Sequence, residues 1–181
     1  MMRPARRTGG FTLLNNQRFI GAGASQTLSA ITGLTPQAYS TALPATGGAN
    51  PTVTSGGVTV TLGTGNRIQG LSFGNATTSD ITGTGFGTLT VRDVTLDGTG
   101  RALDLTTGTL DAIFQSISST TSATNGVILT AVGGSLSTTG GTTVTNATGI
   151  GIQVSTAPAG AALNFGNTSV TNPDGDTTGN T

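Results

Sequence analysis

GVILTAVGGSLSTTGGTTVTN (126–146) holds three short apolar alternations, and pairs of glycine divide them. Its neighbours repeat the plan. RALDLTTGTLDAIFQSISS (101–119) precedes it, and GIQVSTAPAGAALNFGNTSVTN (151–172) follows. Each segment begins with alternating apolar residues: Leu103 and Leu105, Val127 and Leu129, Ile152 and Val154. A second strand is expected around Leu110, Leu136 and Leu163, and a third around Ile117, Val144 and Val170. Degenerate copies lie upstream, at Val58–Val60, Ile68–Phe73, Ile81 and Leu89–Leu96. Three short strands recurring every 21–27 residues predict stacked coils, because one coil cannot bury its inner face alone. Gly133-Gly134, Gly140-Gly141 and Asn125-Gly126 are expected at corners that need positive φ. An antiparallel sandwich, with Asn125-Gly126 as a hairpin turn, is the competing reading. The repetition of strand triplets as a unit favours an all-β parallel β-helix.

Residues 1–10 read as a tail, 11–57 as first strands with a cap or loop region, 58–172 as the helix and 173–181 as a second polar tail. SQTLSAITGL (25–34) predicts a short helix with Ser25 as N-cap. The excursion 22–57 is expected to close the N-terminal end or lie at its side.

Composition narrows the function classes. Seven arginines balance seven aspartates, and there is no lysine, glutamate or histidine. Charged residues make up 8% of the chain, and 30 residues are glycine. Regularly recurring Val, Ile, Leu and Phe argue for a packed fold over disorder. Zero net charge argues against nucleic acid, which demands a basic stripe; only Arg3, Arg6 and Arg7 cluster. No stretch reaches the length of a membrane-spanning helix, and there is no cysteine for disulfides or thiolate metal sites.

RRTGGFTLLNNQRFIG (6–21) resembles an export leader, but its apolar run stops at Leu14. A prepilin site would carry glutamate where Asn15 stands, followed by a long apolar helix. Phe11, Leu13 and Phe19-Ile20 read better as short strands broken by an Asn-Asn turn.

NNQRFIGAG (15–23), GNRIQGLSFGN (65–75), ITGTGFGTLTVRDVTLDGTGRALDLTTGTL (81–110) and LNFGNTSVTN (163–172) carry a family resemblance. They resemble the right-handed parallel β-helix repeats of large bacterial surface and secreted proteins in the pectin-lyase-like superfamily. The resemblance implies a single-stranded right-handed β-helix, secretion or surface display, and a place within a longer solenoid. Its enzymatic members act on polysaccharides, and many others have no known activity. The last coil is expected to continue into further coils or to stack on another copy.

Chemistry is sparse. A glycoside hydrolase needs paired carboxylates, yet the sequence stacks no two aspartates at one position. It places Asp104 over Ile128 and Gln153, Asp111 over Thr90 and Ser137, and Asp93 over Ser116 and Thr143. Asp93, Asp97, Arg92 and Arg101 form the one lyase-like candidate patch, and solvated ion pairs at a corner are the favoured reading of it. NPDGDTTGN (172–180) resembles a calcium loop through Asp174, Asp176 and Asn180, but lacks the closing glutamate. No metal or cofactor is expected, and the expectation is a non-catalytic structural module. A hydroxyl face is the remaining candidate for an ice, glycan or other surface ligand. It comprises Thr95, Ser116, Ser118, Thr143, Thr145, Ser169 and Thr171, flanking inward Val94, Ile117, Val144 and Val170.

Overall fold

A computed structural model describes residues 10–172. The chain is an all-β parallel β-solenoid of about five turns. Twelve strands and one helix follow one another: β1 (Phe11–Thr12), β2 (Arg18–Ile20), α1 (Leu28–Thr32), β3 (Thr52–Thr54), β4 (Val58–Thr61), β5 (Arg67–Gly74), β6 (Ser79–Gly98), β7 (Arg101–Thr120), β8 (Val127–Thr138), β9 (Thr142–Thr145), β10 (Ile152–Ser155), β11 (Ala162–Leu163) and β12 (Thr168–Thr171). Every strand pairing among the described residues is parallel. The hairpin reading of Asn125-Gly126 therefore falls.

Three walls make each turn. On the first, Phe11, Val60, Ile81, Leu103, Val127 and Ile152 stack in register. On the second, Phe19, Ile68, Val91, Ala112, Leu136 and Leu163 do the same. On the third, Val53, Phe73, Leu96, Ile117 and Thr142 stack. Alternation turns these columns inward, and most of their members are fully buried. At the N-terminal end Phe11 packs on Phe19 and Phe19 on Phe73, with ring centroids 5.2 and 6.2 Å apart. In the last described coil Val154 and Val170 are exposed, whereas Val144 one coil earlier is fully buried.

The third wall departs from the sequence alignment. Asp93 does not lie over Ser116 or Thr143; it occupies a corner at φ 55°, and Val94 pairs with Phe114. Val144 stacks on Ser119 rather than on Ile117. The reason is that two small polar residues face inward. Ser119 donates to the Gly100 carbonyl at 2.7 Å, and Thr142 donates to the Phe165 carbonyl at 2.9 Å. On the second wall Asp111 pairs with Thr90 as expected, but with Ser135 rather than Ser137.

Corners also stack. Thr107, Ala131 and Thr156 follow one ladder with φ of 54°, 52° and 50°. Thr121, Asn146 and Asn172 follow another with φ of 55°, 53° and 46°. Gly134 and Gly141 supply positive φ as expected, while Gly133, Gly140, Asn125 and Gly126 do not.

Residues 21–51 leave the first coil and lie along the flank of the solenoid. Thr27, not Ser25, caps helix α1, and the Thr27 hydroxyl accepts from the Ala30 amide. Gly33 ends it at φ 75°. Ala24 is fully buried against Gly70, where φ is 68° and any side chain would strike the Ala24 backbone. The Asn50 side-chain amide lies 3.3 Å from the Leu71 carbonyl, 3.0 Å from the Asp93 carbonyl and 3.1 Å from Gln115 Oε1.

Two outcomes follow from this register. Val127→Asp places an unpaired charge inside the first-wall column and should cost several kcal/mol, read as a fall in denaturation midpoint. Thr121→Asn relieves a β-branched residue of its left-handed conformation and continues the asparagine corner; it should raise stability by about 0.5–1 kcal/mol, read by thermal unfolding.

Candidate functional site

The polar cleft with the most chemistry sits where the flanking excursion meets the second wall. It has a volume of about 450 Å³ and includes Ser25, Gln69, Arg67, Arg92, Asp93 and Asp111 in its lining. Strands β5 and β6 set these residues one coil apart, with Gln69 paired to Arg92 and Arg67 to Thr90. Asp93 Oδ2 accepts from the Ser25 amide at 2.9 Å, the Ser25 hydroxyl at 2.9 Å and Gln69 Nε2 at 3.1 Å. Burial works against the charge of Asp93, but these donors and the Arg92 guanidinium outweigh it and hold the carboxyl below its usual range. Arg92 forms an ion pair with Asp111 at 2.6 Å and also donates to the Asp111 carbonyl at 2.7 Å. Both carboxylates in the cleft are thus engaged by donors, and Asp93, through Ser25, holds the excursion in place.

The four-residue patch expected from the sequence is divided. Arg92 and Asp93 share the cleft. Arg101 pairs instead with Asp104, and its guanidinium also donates to Thr124 Oγ1 at 2.7 Å. Asp97 stands on the third wall, between Gly74 and Ser118 in the ladder. The corner at Asp93 separates the two walls.

The expected hydroxyl face is present in a shifted register. Ser118, Thr143 and Ser169 form one row, and Thr120, Thr145 and Thr171 form a second. Thr95 and Ser116 pair with each other in an adjoining row. Thr120 is the member that the sequence alignment passed over. Within a row the hydroxyls are about 4.8 Å apart from coil to coil, and the first two rows are about 7 Å apart along the strand.

No protein-family model matches the chain, and neither a curated protein nor a solved structure matches it. Among the described residues no three His, Cys, Asp or Glu side chains group as metal ligands. Asp174, Asp176 and Asn180 lie outside the described residues, as do Arg3, Arg6 and Arg7. No described helix is long and apolar enough to cross a membrane.

Asp80 carries the strongest chemical signal that sequence reading missed. It is fully buried, and neither carboxyl oxygen has a hydrogen-bond partner. Ser79 Oγ and Thr59 Oγ1 are likewise buried and unpartnered. The carboxyl occupies space left by Gly98, where an added Cβ would come within 2.7 Å of Oδ1. Gly98, Ser119, Val144 and Val170 form one column of the third wall. On the facing wall, Gly126 and Gly151 leave room for Val144 and Val170. Asp80 therefore fills from the first wall a space that later coils fill from the third. Burial, reinforced by the charge of Asp97, pushes its pKa up to about 8.

The unfolded chain releases this proton near the ordinary aspartate value of 3.8, and the folded chain holds it until about 8. Unfolding between those values releases a proton, so stability falls as pH rises from about 4 to about 8. The Asp80→Ala variant should lose most of that fall, several kcal/mol at ~1.4 kcal/mol per pKa unit. Thermal unfolding of both proteins at pH 5 and pH 8 reads the difference. Asp93 has the opposite sign and a lower window: its stabilisation is present above its unfolded pKa and is lost as pH falls through its depressed folded value.

Proposed function

We propose that the chain is a non-catalytic structural module, a β-solenoid segment of a secreted or surface-displayed protein. The observation that carries this reading is the engagement of three carboxylates by donors, the two in the polar cleft among them. Asp93 is held by Ser25 and Gln69, Asp111 by Arg92, and Asp104 by Arg101. General acid and base chemistry on a glycan demands two carboxyls free to exchange protons across a cleft. The placement outside the cell, and the affinity with pectin-lyase-like repeats, rest on the sequence resemblance. Full-length protein incubated with a panel of neutral and acidic polysaccharides should release no new chain ends. Cleavage that disappears in Asp93→Asn or Asp97→Asn would replace this reading with the polysaccharide lyase or hydrolase alternative.

A second reading draws on the regular hydroxyl rows of the third wall. The two rows from Ser118 to Ser169 and from Thr120 to Thr171 offer a repeating surface for ice or an ordered glycan. Disc-shaped ice growth at high protein concentration, together with failure to sediment with insoluble polysaccharide, would remove it.

A further inference from the structure

Arg18 and Arg67 are direct register partners on adjacent coils, about 4.8 Å apart along the ladder. Like charges facing each other across paired strands repel. Elsewhere in the described chain arginine is matched: Arg92 with Asp111 and Arg101 with Asp104. Among the described residues neither Arg18 nor Arg67 forms a salt bridge with a carboxylate. Only neutral acceptors hold them. Arg67 donates through Nε and Nη2 to Gln69 Oε1 at 3.1 and 2.9 Å, and through Nη2 to Gln26 Oε1 at 2.9 Å. Arg18 donates through Nη1 to the Ile31 carbonyl at 2.6 Å.

A guanidinium has five donors in a planar fork that matches oxyanions. Among the described residues, Arg67 Nη1 and Arg18 Nε and Nη2 have no acceptor. Arg67 also lines the polar cleft, whose Asp93 and Asp111 already have their own donors. An arriving anion therefore meets two unmatched positive charges, while the nearby carboxylates are already engaged.

We propose that the Arg18–Arg67 ladder beside this cleft is a binding site for an oxyanion group, either free in solution or carried on a glycan. The anion supplies the charge that the two arginines lack and bridges β2 to β5, removing their mutual repulsion.

The test follows the arginine Nε–H resonances of the ¹⁵N-labelled full chain during titration with sodium sulfate, with sodium chloride keeping ionic strength constant. Arg18 and Arg67 should shift saturably, and Arg101, already paired with Asp104, should not. Arg67→Gln and Arg18→Gln should each weaken the binding at least roughly tenfold, the loss expected for a charge-assisted hydrogen bond. A linear shift shared by Arg101, or unchanged affinity in both variants, overturns the proposal. Should Arg67→Gln unfold, Arg18→Gln carries the test alone, because Arg18 is exposed. A sulfated oligosaccharide that binds more tightly than sulfate at equal sulfate concentration identifies a glycan-borne group. Equal binding identifies the free ion.

Discussion

Parallel in-register pairing is the constraint on which the whole molecule depends. Each coil can satisfy its backbone only against the coils above and below it. That pairing places equivalent positions about 4.8 Å apart, so one column must share one environment. Val127 is buried because Leu103 and Ile152 enclose it along the axis. The same rule acts on charge and on backbone strain. It sets Arg18 over Arg67, and it stacks the left-handed corners at Thr107, Ala131 and Thr156.

Constant cross-section then governs the interior. Where Gly98 offers no side chain, Asp80 occupies the gap; where Gly126 offers none, Val144 does. Filling this space with a carboxyl has a chemical cost, because burial favours its neutral form. A packing solution in one coil has thereby become a titrating group, something its aliphatic counterparts cannot be.

The first wall was legible in the sequence because Leu103–Leu105, Val127–Leu129 and Ile152–Val154 alternate cleanly at nearly constant spacing. The third wall was not, because matching apolar to apolar sets Ile117 over Val144. In the structure Ser119 and Thr142 fill inward positions by donating to main-chain carbonyls. Asp80 escaped notice for a related reason: an aspartate in sequence suggests solvent, and nothing local reveals the empty space above Gly98. The candidate patch was half legible. Proximity along the chain joined Asp93 to Asp97, but the bend at Asp93 turns the wall between them. Its true partners, Ser25 and Gln69, are 68 and 24 residues away.

The flank strap has a mechanical meaning. Through Asn50 a single side-chain amide reaches the Leu71 and Asp93 carbonyls and Gln115, on three successive turns. Ser25 adds a further tie at Asp93. Tension along the axis loads these bonds together with the ladder, while peeling from the edge loads the ladder one rung at a time. The strap therefore acts as a rivet across the early coils, and a pulled solenoid yields first where no such rivet crosses its turns.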